Sequence, residues 1–119
     1  MRIDILQAGP LRAAYIHADE VLVSEPDDAL ELLGIAYENE VHRLILDRSA
    51  FSADFFELRT GLAGEVLQKF STYSLFLAIV GDFSGVESKS LRDFIRESNR
   101  TGRILFVDSA EAALTAWKA

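Results

Sequence analysis

Arg59, Thr60 and Gln68 stand within FFELRTGLAGEVLQKFSTYSLFLAIVGDF (residues 55–83), at positions where a purely structural helix has no special need of them. Asp82 nearly closes that stretch, and Lys89 and Arg92 follow it. Guanidinium and ammonium groups beside a hydroxyl and an amide suit the binding of an anion or of a partner's acidic surface. A Thr hydroxyl can also accept a phosphoryl group. The same residues make a poor catalytic set. His17 and His42 are the only histidines, and no spacing unites them with each other or with a serine and an acid. The absence of Cys removes disulfides, thiolate nucleophiles and Cys-ligated zinc or iron–sulfur sites. Residues 81–85, GDFSG, lack the Lys and the spacing of a phosphate-binding loop. No catalytic residue, metal site or cofactor is therefore expected, and binding leads over catalysis.

Positioning these residues falls to one domain, residues 1–119. Half the residues are hydrophobic and 8 are Phe, enough for a core without staples. The net charge of −7 repels phosphate backbones, so no nucleic-acid partner is expected. Lys89, Arg92, Arg96, Arg100 and Arg103 are a local exception, read as a solvated helix face interleaved with Asp93 and Glu97. The apolar run at residues 75–80 is too short to span a bilayer, and residues 1–9 alternate like a strand rather than a secretory signal. A cytoplasmic location fits the lack of Cys.

Residues 2–8 alternate, Gly9-Pro10 breaks them, and residues 13–18 complete a hairpin. Residues 21–23 extend the sheet or lie beneath a helix. Ser24 is expected to cap a first helix, with Pro26 in its first turn and Asp27 and Asp28 at its positive end. Leu30, Leu33 and Tyr37 form its expected inner stripe, with Ala29, Leu32 and Ala36 alongside. Residues 43–47, RLILD, are a buried strand. Ser52 is expected to cap a second helix in which Phe55, Leu58, Leu62, Val66 or its neighbour Leu67, Phe70 and Tyr73 recur at helical spacing. About 20 residues then make one rod on the order of 30 Å long. Residues 75–80 are apolar on both faces and so belong inside the sheet. Residues 88–100 are a third helix with Leu91, Phe94 and Ile95 inward; Gly102 ends it. Residues 104–107 are the last strand, and Ser109 caps a final helix. Such alternation implies parallel strands joined by right-handed crossovers. The expected fold is α/β, a mixed sheet of about five strands with an N-terminal hairpin and helices packed against it.

In open α/β sheets ligands gather beyond the carboxyl ends of the strands. Leu46-Asp47, Gly81-Asp82 and Val107-Asp108 end three strands alike, which puts three acids on one edge. Each is also an ordinary turn former or helix cap. A phosphoacceptor receiver domain needs acids after its first strand and a Lys after its last; Gln7-Ala8 and Ser109-Ala110 occupy those places and exclude that reading. Gly61 and Gly64, read as lying inside the second helix, cost about 1 kcal/mol each relative to Ala. Close packing on a strand, a helix or another subunit is the expected compensation, ahead of ligand approach.

PDDALELL, DFFELRTGLAGEVLQKF, LAIVGDFS, SKSLRDFIRESN and FVDSAEAAL resemble a bacterial family known only as domain of unknown function 4180, over nearly the whole chain and most clearly from Ser24 onward. LILD before the second helix and LAIVGDF before the third also resemble the STAS-type fold of bacterial anti-sigma-factor antagonists. The first resemblance implies no particular activity. The second implies a STAS-like partner-binding domain, sometimes switched by phosphorylation of a Ser or Thr before Gly-Leu. Thr60-Gly61-Leu62 matches that pattern, which makes Thr60 the candidate phosphoacceptor. Leu58-Arg59 departs from the Asp-Ser pair of the antagonists, and Thr60 falls two turns inside the expected helix rather than at a helix start, where added charge is favoured.

The leading expectation is a regulatory or protein-interaction module, a homodimer with an unknown protein partner, joined through an exposed helix face around Gly61 and Gly64. The alternative is a small-ligand or anion-binding protein, or an enzyme, with Arg59, Asp82, Lys89 and Arg92 converging at the strand edge. A purely structural subunit is the third.

Overall fold

The computed structural model describes residues 1–118. Five strands, β1 (Arg2–Ala8), β2 (Leu11–His17), β3 (Arg43–Asp47), β4 (Phe76–Val80) and β5 (Ile104–Val107), form one sheet in chain order, β1-β2-β3-β4-β5. β1 and β2 are antiparallel and turn through Gly9-Pro10, with Gly9 at φ +62. The other neighbours are parallel. The mixed five-stranded sheet with its N-terminal hairpin is thus the fold the sequence predicts.

Register sorts the side chains. Ala14, Leu44, Leu77 and Ile104 lie in one row across the sheet, and Ile16, Leu46, Ile79 and Phe106 in the next row on the same face. That face carries the main core, built with α1 (Asp28–Glu38), α3 (Leu62–Thr72) and α4 (Lys89–Thr101). Strands added in one direction by right-handed crossovers place their connecting helices on one side. The opposite face presents Ile45, Ala78 and Leu105, and α5 (Ala110–Lys118) covers it with Ala113 and Trp117.

The expected 30 Å rod is broken. α2 (Ala53–Phe56) is a single turn, a 3-10 turn spans Leu58–Thr60, and α3 begins only after Gly61. Gly61 has φ +81, a left-handed conformation that side chains resist. The Thr60 hydroxyl lies 2.7 Å from the Asp54 carbonyl and 2.9 Å from the Glu57 carbonyl, so it donates to groups a continuing helix would occupy. Phe55, Leu62, Val66 and Phe70 all remain buried on the core side across the break. Their helical spacing therefore survives although the helix does not.

Three further expectations are corrected. In α1 the buried stripe is Ala29, Leu32 and Ala36; Leu30 is 47% and Tyr37 85% exposed. Small alanines on either side of Leu32 let the helix lie close to the sheet, and Leu30 and Tyr37 turn outward. Tyr73, placed in the inner stripe of the second helix, follows the end of α3 and is 58% exposed. Neither Gly61 nor Gly64 is closely packed, since a Cβ at either would meet nothing within 4 Å.

The caps also redistribute. Asp28, not Ser24, closes the start of α1: its carboxylate accepts from the amides of Ser24 at 2.8 Å and Glu25 at 3.1 Å and from the Ser24 hydroxyl at 3.2 Å. Ser52 caps nothing, and its buried hydroxyl has no partner. Ser88 and Ser109 accept from Leu91 and Ala112, as their positions predict. Val23 bridges Phe51 beside the sheet. At the outer edge of β5, the Asn99 amide bonds both the N–H and the C=O of Phe106, occupying groups that another strand would need. No helix among the described residues is long and apolar enough to cross a membrane.

Candidate functional site

The strand order never reverses, so the sheet has no point at which successive connections diverge to opposite faces and open a crevice. Its carboxyl edge is instead a shallow surface with Arg48 at its middle. Arg48 begins the 3-10 turn after β3. Its guanidinium carbon lies 5.0 Å from the ring centroids of both Phe56 and Phe83. Its Nη1 donates to the Asp82 carbonyl at 2.7 Å. A Cβ on Gly81 would fall 2.9 Å from the Arg48 Cβ, so the β4 exit can approach this closely only as glycine. The clamping rings belong to a chain of Phe side chains running 51–55–56–83–106–94, with centroids 4.7–6.2 Å apart along it.

Two open clefts flank the clamp. One, of about 610 Å³, is lined by Asp82, Phe83, Ser84, Phe106 and Asp108 among others. The other, of about 600 Å³, is lined by Arg48, Ser49, Phe51, Ala53 and Phe56. Asp82 is occupied by its own turn, accepting from the Ser84 hydroxyl at 2.6 Å and the Ser84 amide at 2.9 Å. The hydroxyl first, the amide next and Arg48 to a smaller extent hold its carboxyl below the usual range.

The remaining residues singled out in the sequence do not join this group. Arg59 is exposed and pairs with Glu57 at 3.4 Å. Gln68, exposed on α3, reaches only Thr72, at 3.5 Å. Lys89 pairs with Asp93, and Arg92 donates to the carbonyls of Val86 and Glu87. Arg96 pairs with Asp93, and Arg100 with Glu97, so three of the five stripe cations are in surface ion pairs, while Arg103 leaves the helix face to donate to the Leu75 carbonyl over the Phe76 ring. Thr60 is exposed and sits immediately before Gly61 and α3, accepting from the Leu62 amide at 3.3 Å. It therefore lies at a helix start, not two turns inside a helix.

Of the three edge acids, Asp82 and Asp108 share the first cleft and Asp47 parts from them. Asp47 accepts from the Tyr15 hydroxyl across the α5 face of the sheet. The Tyr15 and His17 rings stack with centroids 4.0 Å apart, and His17 Nε2 lies 3.1 Å from Asp4 Oδ2. Burial first, then the Asp47 hydrogen bond and charge, push the Tyr15 hydroxyl up to about 12. His17, without partners in the sequence reading, thus belongs to a four-residue polar cluster over β1–β3. Among the described residues no three His, Asp or Glu side chains gather as metal ligands.

A third feature lies between α1 and α3. Tyr37 and Tyr73 flank a groove of about 220 Å³ lined also by Leu33, Ala36, Val41 and Leu75. It is mainly apolar, with His42 at its wall. The sequence concealed it, because Tyr37 and Tyr73 fit helical core stripes.

No curated protein matches this chain. Residues 9–117, from the hairpin turn to the penultimate described residue of α5, match the domain of unknown function (DUF4180), and the chain belongs to that family.

Proposed function

We propose that the protein is a non-enzymatic regulatory module, STAS-like and cytoplasmic, which works by contacting proteins and first of all a second copy of itself. The outward placement of Tyr37 and Tyr73 beside the α1–α3 groove carries this reading. Large exposed aromatics around an apolar depression are the usual centre of a contact surface. The patch offers both projecting rings and a recess. A two-fold interface requires such self-complementarity, because each surface meets its own copy.

Thr60 is the proposed control point. A phosphate there would lie at the positive end of α3, while its hydroxyl would no longer donate to the Asp54 and Glu57 carbonyls. The turn that sets the start of α3 would have to rearrange. Thr60-Gly61-Leu62 resembles the phosphorylated segment of STAS antagonists, which supports the assignment.

Sedimentation equilibrium tests the reading. The native chain should be a dimer, and Tyr37→Ser with Tyr73→Ser should shift it to monomer without unfolding. A native chain that stays monomeric at high concentration removes the homodimer. Mass spectrometry of protein isolated from its own cell should find phosphate on Thr60; a chain never modified there removes the switch.

A further inference from the structure

We propose that Arg48, seated over the adjoining Phe56 and Phe83 rings, anchors a binding site for an oxyanion, carboxylate or phosphate, carried on a flat apolar body. This goes beyond the protein-contact reading and does not depend on it.

Three observations carry the assignment. The first is preorganisation. Two adjoining rings and the Asp82 carbonyl hold the guanidinium in place, so an incoming anion need not order a free side chain. The second is the lack of a close ion pair, the Asp82 carboxylate acting on Arg48 only from beyond that distance. Arg59, Arg96 and Arg100 each have a carboxylate within ion-pair distance, whereas among the described residues Arg48 has none. One N–H of Nη1 serves the Asp82 carbonyl, and the remaining donors form the planar fork that matches a carboxylate or phosphate. Tying the exits of β3 and β4 together needs only that one bond.

The third is the polarity of the two flanking clefts. Asp82 and Asp108 line the one beyond Phe83, which disfavours an anion there. The one beside α2 is lined by Arg48 and Ser49 with no acid, and by Phe51 and Phe56. An oxyanion on Arg48 therefore sits on the α2 side, its apolar body against the Phe rings. A volume of about 600 Å³ accommodates a small molecule or the terminal side chain of a peptide.

The test is titration of isotope-labelled protein, followed by backbone amide shifts, with benzoate, phenyl phosphate and inorganic phosphate. Benzoate or phenyl phosphate should give saturable shifts confined to Arg48, Ser49, Phe56 and Gly81. The tighter of the two identifies the oxyanion, and inorganic phosphate should bind at least about tenfold more weakly for want of an apolar body. Arg48→Lys keeps the charge but loses the fork, and should weaken binding about tenfold. Arg48→Met should abolish it. No saturable shift with either aromatic anion at millimolar concentration, shifts centred elsewhere, or unchanged affinity in Arg48→Lys would each overturn the proposal. Arg48→Lys decides the matter if Arg48→Met fails to fold.

Discussion

Tyr15 carries its cost in the ionised state. Its hydroxyl donates to Asp47, so losing the proton would set two negative oxygens together in a half-buried place. Tyrosinate absorbance should show one phenol ionising near pH 12, and Tyr15→Phe should remove that step. The sign follows from a folded value raised above the ordinary 10.0. The contribution to stability is fully present below pH 10 and is lost as pH rises through about 12. Tyr15→Phe should also cost about 1 kcal/mol near neutrality, because Asp47 loses its donor. Asp28 works in the other direction. The Ser24 amide first, with the Glu25 amide and the Ser24 hydroxyl, lowers its value from the ordinary 3.8. Its contribution is present above that ordinary value and is lost as pH falls through the lower, folded one. Asp28→Asn, which keeps an acceptor oxygen but cannot ionise, should flatten the acid limb of the stability profile. Neither Tyr15 nor Arg48 stood out in the sequence. Their partners lie 32 and 34 positions away, and only folding brings them together.

The segment from α2 through α3 shows how a correct periodicity can mislead about an element. Spacing reports which side chains face the core, and Phe55, Leu62, Val66 and Phe70 do face it. It does not report whether the backbone between them is continuous. The two glycines separate these cases experimentally. Gly61→Ala forces a side chain into the left-handed region and should destabilise the protein by roughly 1–2 kcal/mol. Gly64→Ala lies in helix with open space around the new methyl, and should stabilise the folded chain by roughly 0.5–1 kcal/mol. Were the segment one unbroken helix, both changes would stabilise; chemical denaturation of the two variants decides. The strands were legible because FLAIV and ILFV are short apolar runs with firm ends, Gly81 after one and Gly102 before the other. The orientation of α1 was not. Leu30, Leu33 and Tyr37 make as good a stripe on paper as Ala29, Leu32 and Ala36, and only the closeness of the sheet selects the smaller one.

For the whole molecule, alternation of elements was enough to read the mixed α/β sheet, but not its strand order. That order decides what the surface can do. With no reversal there is no deep crevice, and the carboxyl edge offers shallow ground where an aromatic-clamped cation, rather than an enclosed pocket, provides recognition. The net charge of −7 sets that cation on an acidic body. The chain-order sheet also has a consequence for synthesis. Every strand pairs with the one translated immediately before it, so the sheet can grow strand by strand as the chain leaves the ribosome. The face bearing Ile45, Ala78 and Leu105 has no such early cover. It waits for Ala110–Lys118, the helix that follows β5. A chain cut after residue 109 should keep its sheet yet bind a hydrophobic dye, and failure to bind would mean that face is closed some other way. A sheet whose Ala110–Lys118 segment has yet to dock is therefore covered on one side and sticky on the other, an interval in which a chaperone would find it.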